Sequence, residues 1–281
     1  MARRFSVLVL FCTLLLVIAG GLVTSNDAAQ SVPDWPLSYG KLVPPLEGGI
    51  RFEFGHRVLA ATVTVLTLAL ALWLRSRLAW LAVATVLAQA VLGGAVVKLA
   101  APKWAPVAHA ALAQLCFGIM AAIVAGQWFG VSEESKRAGR SPAPLIAAGA
   151  LFVQTILGAA VRHNAADVIP HIAGAVVTTL VVMWAGLQVL MHHMENPPFR
   201  RSAMLLLSLT FSQVLLGMGA YLSRIATAND PQPMPMMIWF TVAHLAVGSL
   251  AFGAAIAMEI IVNRNARPVG TDFAQRGMAV A

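Results

Sequence analysis

Charge is the scarcest commodity in this sequence. Only 11% of its 281 residues are Asp, Glu, Lys or Arg, against about a quarter in soluble domains. With 59% hydrophobic residues and a mean hydropathy of +0.79, that excludes an ordinary soluble domain and a disordered chain. Cysteine is nearly missing. Cys12 and Cys116 are the two present, which excludes a disulfide scaffold, and both sit in apolar runs and read as buried packing residues. Long polar stretches are also lacking: eight spans of ~20 residues use roughly 160 positions and leave about 120 for loops and tails. No sizeable extramembrane domain fits in that remainder.

What is present is a series of apolar runs at 5–24, 52–74, 78–97, 105–129, 144–161, 169–191, 202–222 and 237–262, each long enough to cross a bilayer as a helix. The chain is expected to be an all-α integral membrane protein with eight transmembrane helices. The first run follows Arg3 and Arg4 like a signal peptide, but it is long for one and no small-x-small cleavage site follows it directly, so it reads as a retained span.

Nineteen Lys and Arg residues set the orientation. Twelve (Arg3, Arg4, Arg75, Arg77, Lys136, Arg137, Arg140, Arg200, Arg201, Arg264, Arg267 and Arg276) fall on the side of the termini, and seven (Lys41, Arg51, Arg57, Lys98, Lys103, Arg162 and Arg224) on the other. Both termini are therefore expected in the cytoplasm. The pI near 10.5 becomes a topology signal, with no case for nucleic acid. The lipid bilayer is the evident partner. The charged stretch around Glu133, Glu134, Lys136, Arg137 and Arg140 reads as a cytoplasmic linker, 132–143, between halves at 1–131 and 144–263, with a cytoplasmic tail at 264–281.

The halves repeat internally. Gln89 to Val96, Gln154 to Val161 and Gln213 to Ala220 share one pattern, Gln-x-x-Leu-Gly followed by small residues with one variation, and Ile18 to Val23 carries a weaker version. Each is followed by an outer loop and a helix with a histidine near its start. The small residues read as packing, and the recurrence as duplication.

Four of seven histidines follow this repeat: His56, His109, His171 and His244. Each falls within the first turns of an even-numbered span, so all four are expected ~5–12 Å below the outer surface at 1.5 Å rise per residue. Two imidazoles per half at one depth suit bis-imidazole ligation of a haem between facing helices. Zinc would want three or four ligands together. Arg57, Lys98, Lys103, Arg162 and Arg224 lie near the same surface as candidate partners for haem propionates, or as ordinary helix-end cations. His163, His192 and His193 lie outside the repeat and read as solvated or interfacial. Glu53, three residues before His56, shares its helix face and has no counterpart in the other repeats. It is either a proton-handling group beside a haem-like substrate or an interfacial helix cap.

These residues leave three readings open. One is a membrane oxidoreductase acting on a haem. Another is a diheme b-type cytochrome that relays electrons without changing its haem. The third is a repeat-built transporter with histidine proton relays.

Further motifs point to one family. Gly20 to Ser25, Pro33-Asp34-Trp35-Pro36-Leu37, and Glu53-Phe54-Gly55-His56-Arg57, followed in order by Val107 to Ala110, Pro170 to Gly174 and Val242 to Leu245, resemble the heme A synthases from about Arg4 to Asn263. That resemblance implies two four-helix bundles related by a pseudo-twofold axis in a bacterial plasma membrane, with the histidines near its outer face. It implies oxidation of the C8 methyl of haem O through two hydroxylations to a geminal diol, which loses water to leave the formyl group of haem A for terminal oxidases. By the same resemblance His56 and His109 ligate the substrate haem O, Glu53 is catalytic, and His171 and His244 ligate the iron of a haem b cofactor. Haem O synthase is a candidate partner, beside an unidentified electron-transfer partner. Many members flank the Asp-Trp-Pro-Leu segment with cysteines. Val32 and Ser38 stand there in this chain, so no bridge forms, a redox role for the loop is excluded, and its order is expected from prolines and packing.

Overall fold

The computed structural model describes residues 1–99, 102–129 and 141–263. The linker residues 132–140, with Glu133, Glu134, Lys136, Arg137 and Arg140, lie outside the described residues, as does the tail 264–281 with Arg264, Arg267 and Arg276. Among the described residues the secondary structure is helical: α1 (Ala2–Ser25), α2 (Ile50–Leu74), α3 (Arg77–Lys98), α4 (Trp104–Trp128), α5 (Ala143–Arg162), α6 (Val168–His193), α7 (Pro197–Ala226) and α8 (Pro235–Asn263). All eight are long and apolar enough to cross a membrane, and the protein is a multi-pass membrane protein.

Local chemistry sets the helix ends. The Ser76 hydroxyl accepts from the Ala79 N–H at 3.2 Å to open α3, and Arg75 closes α2 in the left-handed region at φ 51°. Asn196 caps α7 through Phe199 N–H, with prolines in the first turn. That cap starts α7 five residues before the apolar run expected at 202–222, and the helix ends four residues after it. Arg200 and Arg201 are consequently helical rather than in a loop, and His192 and His193 form the last turn of α6. Apolar content marks the hydrocarbon layer, whereas helical hydrogen bonding continues into the interface.

Helices α1–α4 contact one another in a ring, α1 with α2, α2 with α3, α3 with α4 and α4 with α1, and α5–α8 do the same. Helices α4 and α8 are the most buried of the eight and touch across the middle. There Phe117 of α4 lies over Gly253 of α8, and Phe252 of α8 over Gly118 of α4, where an added Cβ would stand 2.9 and 2.6 Å from the ring. The exchange is reciprocal, with Phe117 and Phe252 each eight residues beyond a histidine. Five residues beyond the same histidines, Gln114 donates to the Ser249 hydroxyl at 2.8 Å.

Each ring has an apolar core at one end. Val9, Leu70, Ala79 and Met120 are buried together in the first, and Ala147, Val189, Leu206 and Met258 in the second. These clusters lie at the starts of odd helices and the ends of even ones. The opposite end of each ring holds the histidines. Of the two cysteines, Cys116 is buried as expected, but Cys12 is only half-buried.

Candidate functional site

Each repeat histidine lies against a glycine of the preceding helix. A Cβ added to Gly20, Gly93, Gly158 or Gly217 would stand 3.2, 2.9, 3.0 or 2.8 Å from Cε1 of His56, His109, His171 or His244. In all four the next nearest atoms are Nδ1 and then Nε2, so the imidazoles present the same edge to their seats. These glycines, read from sequence as helix packing, let a ring approach the backbone more closely than a methyl group allows. Their constant place, four residues after Gln89, Gln154 and Gln213, was the available signal.

The ring nitrogens differ between halves. Gln154 Nε2 lies 3.0 Å from His171 Nδ1 and donates to the His171 carbonyl at 2.8 Å. His244 Nδ1 lies 3.1 Å from the Gln213 carbonyl, and its Nε2 lies 3.2 Å from Gln213 Nε2. Gln89 reaches only the main-chain carbonyl of His109, at 2.9 Å. Leu16 holds the corresponding place before His56. His109 Nδ1 is buried without a hydrogen-bond partner among the described residues, while His56 lies against the main chain of Leu16.

His171 and His244 face each other with ring centres 6.2 Å apart and planes at 88°. A metal–imidazole bond of roughly 2 Å, plus roughly 1 Å from nitrogen to ring centre, on each side of a shared ion gives about 6 Å. The pair's separation matches that of two axial ligands on one iron. No cluster of three or more His, Cys, Asp or Glu is set to hold a metal among the described residues. In the first half, His56 and His163 are both within electrostatic reach of His109. His163, read from sequence as solvated or interfacial, is half-buried at the end of α5. Burial, and then the neighbouring Arg162, lower its pKa.

Glu53 is buried at 4% exposure. Its Oε1 accepts from Arg57 at 2.5 Å and its Oε2 from the Val32 N–H at 2.8 Å. Arg57 also donates to the carbonyls of Asp34 (2.7 Å), Leu37 (2.8 Å) and Val32 (3.2 Å). The Asp34 carboxylate accepts from the N–H groups of Tyr39 and Gly40 at 2.7 and 2.8 Å. Those bonds, Gly40 first, hold its pKa below the usual carboxylate value. Expecting order in this loop from prolines and packing was incomplete, because a buried ion pair and main-chain hydrogen bonds anchor it where cysteines are absent. Val32 and Ser38 are themselves buried. Trp35 lies over Gly94, where an added Cβ would meet the indole at 2.8 Å, one residue from the seat of His109.

The other cations divide in two. Arg162 donates to the Gly21 carbonyl at 3.0 Å and to the Ser25 hydroxyl, tying α5 to the turn of α1 that seats His56. Lys98, Lys103 and Arg224 are exposed. His192 and His193 stand at the far end of α6, with His193 against Phe199.

Fold and side chains together define a polytopic helical membrane protein with four glycine-seated histidines at one end, one pair of which is spaced for a bis-imidazole haem. No family model matches the chain. It is 31% identical over 142 residues to the heme A synthase of Methylobacterium sp. (strain 4-46), covering 43% of this chain and 39% of that one. It is 32% identical over 126 residues to the heme A synthase of Symbiobacterium thermophilum, covering 41% of each. To the heme A synthase of Beijerinckia indica it is 30% identical over 137 residues, covering 41% of this chain and 38% of that one. The resemblance to the heme A synthases is therefore shown, over a narrower stretch than the motifs run. The chain spans about two fifths of the length of these relatives.

Proposed function

We propose that the protein is a heme A synthase, a membrane oxidoreductase that oxidises the C8 methyl of haem O to the formyl group of haem A. The observation that carries this reading is the set of four glycine-seated histidines, of which His171 and His244 stand at the separation of two axial ligands. The shared name of the relatives supports it. The two helix rings are read as pseudo-twofold-related bundles, 1–131 and 144–263. Both termini are read as cytoplasmic and the histidine end as facing outward in a plasma membrane.

In this reading His171 and His244 hold haem b, and His56 and His109 hold the substrate haem O. A bound haem b supplies one-electron redox chemistry close to the substrate. Glu53 lies three residues, one helical turn, from His56 and handles a proton at the substrate site. Its carboxylate is kept in place by Arg57 and the Val32 N–H, so the residues that position the acid also close the outer loop over it. Arg57 and Arg162 are read as structural first, because main-chain and side-chain acceptors already engage them. Lys98, Lys103 and Arg224 are the exposed cations for haem propionates.

Co-expression with a haem O source, followed by extraction and chromatography of the pigments, tests the activity. Haem A is expected from the intact protein. Glu53→Ala is expected to keep a b-type absorption spectrum and to yield no haem A. Full yield from Glu53→Ala would remove the catalytic assignment. Bound haem that is never converted, even by the intact protein, would favour an electron-relaying cytochrome. A purified protein without haem absorbance would favour a transporter.

A further inference from the structure

The two histidine seats of the first half are double glycines, Gly20-Gly21 and Gly93-Gly94, whereas Gly158 is followed by Ala159 and Gly217 by Met218. Adjacent glycines soften a helix, because glycine loses more backbone freedom on folding than any other residue. Each soft turn is covered from outside at its second glycine. Trp35 of the first outer loop covers Gly94. Gly21 is covered from the other half of the protein. A Cβ added there would stand 2.6 Å from Leu245 Cδ2, and Leu245 directly follows His244. Arg162 Nη2 donates to the Gly21 carbonyl at 3.0 Å and to the buried Ser25 hydroxyl one turn later.

Arg162 departs from the repeat. Four residues after the seats stand Thr24, Val97, Arg162 and Tyr221. Thr24 turns back on its own helix and donates to the Gly20 carbonyl at 3.2 Å, whereas Arg162 crosses from α5 to α1. Among the described residues the backbones of α1 and α5 do not come into contact, so the guanidinium spans a gap. Both helices end here, which brings their negative dipole ends to this cation, and Asp27 lies within its electrostatic reach. The bare face of Gly20 meets His56 Cε1, so a shift of the Gly20–Gly21 turn moves the ring's seat.

We propose that Arg162 is a positioning residue for His56: it reaches across from the half that carries His171 and His244 and fixes the α1 turn on which His56 is seated. The proposal rests on the haem-binding reading above and deepens it. Arg162 lies one turn after Gly158, the seat of His171, and Leu245 lies beside His244. Each histidine of the second pair therefore has a neighbour on the turn that seats His56.

The test uses the full-length protein in detergent and has two readouts. Amide hydrogen exchange needs no haem. Arg162→Met removes a charged donor and should speed exchange at residues 24–26, the end of α1, on the order of 10–100-fold. Exchange at 158–162 in α5 should not change. Ser25→Ala, which leaves the Gly21 bond, should give a smaller rise, and Arg162→Lys should recover part of the protection. The second readout is titration with haem O in a His171→Ala background, where uptake reports the His56–His109 pair. Arg162→Met should weaken that uptake roughly tenfold and Arg162→Lys less. With His171 intact, the b-type spectrum of Arg162→Met should be unchanged. Unmoved exchange at 24–26 overturns the proposal, as does faster exchange there with undiminished uptake of haem O. Protection lost throughout α1 and α5 overturns it too, by assigning Arg162 to the fold as a whole. If the His171→Ala protein with Arg162 intact takes up no haem O, the haem-binding reading of the first half falls and the proposal with it. Exchange alone cannot produce that last result.

Discussion

The first and second halves of this protein seat their histidines in the same way and surround them differently. Gly20 and Gly93 do for His56 and His109 what Gly158 and Gly217 do for His171 and His244. Around those seats the second half adds glutamine contacts to the ring nitrogens. The first half has no glutamine side chain on its ring nitrogens and adds an acid, Glu53, beneath an anchored loop. Duplication supplies a scaffold that places imidazoles, and the later divergence lies in what touches them. One half invests its polar groups in holding a ligand, the other in covering a site.

The largest effect that would sharpen this contrast is loss of a ligand. His171→Ala and His244→Ala are each expected to abolish the low-spin b-type spectrum of the purified protein, while His56→Ala leaves it. An unchanged spectrum in both second-half variants would dissolve the division of labour. Next in size is the loop anchor. Arg57→Met leaves Glu53 buried beside three main-chain carbonyls that have lost their donor. Breaking a buried ion pair costs roughly 3–5 kcal/mol, and side-chain exposures of 15% and 5% place this one at the low end. Proteolytic cleavage within 26–49 should rise on the order of 100-fold, with cleavage of the loop at 227–234 unchanged. Equal cleavage of both loops would show that Arg57 acts on the whole fold.

A smaller effect probes the seats. Gly158→Ala puts a methyl group 3.0 Å from His171 Cε1, a clash worth about 1–3 kcal/mol. It should weaken the b-type spectrum roughly tenfold or more in haem titrations. Gly20→Ala, at 3.2 Å from His56, should reduce haem A yield and leave that spectrum intact. Identical behaviour of the two variants would mean that the halves do not divide the work.

Much of this arrangement was legible before any coordinates. Helices were legible because a bilayer demands long apolar runs, and the histidines because duplication repeated one near the start of each even-numbered span. The ends of α7 were not, since polar residues such as Arg200 and Arg201 continue a helix into the interface as readily as they end one. The glycine seats and the ring contacts of Gln154 and Gln213 were in plain view as a motif, but periodicity cannot say which neighbour a small residue makes room for. Nor could the loop anchor be read. Arg57 was visible as a helix-end cation, and only the chain's return over α2 brings the carbonyls of Val32, Asp34 and Leu37 to its guanidinium.

The smallest expected effect separates the two loops at the histidine end by pH. In the first, Tyr39 and Gly40 donate their N–H groups to the Asp34 carboxylate, with Arg57 nearby as a weaker influence. In the second, the Gln232 side chain donates to the Thr227 carbonyl at 2.6 Å, a bond with no proton to gain. Because the folded pKa of Asp34 lies below its ordinary value of 3.8, its contribution to loop order is complete above that value and is lost as pH falls through the lowered one. Hydrogen exchange, corrected for its intrinsic pH dependence, should show the Tyr39 and Gly40 amides losing a few-fold of protection between about pH 5 and pH 2. Asp34→Asn, which still accepts but without charge, should show less protection at neutral pH and little further loss in acid. If acid opened the Thr227–Gln232 turn as much as the Asp34 turn, the carboxylate would not be what orders the first loop.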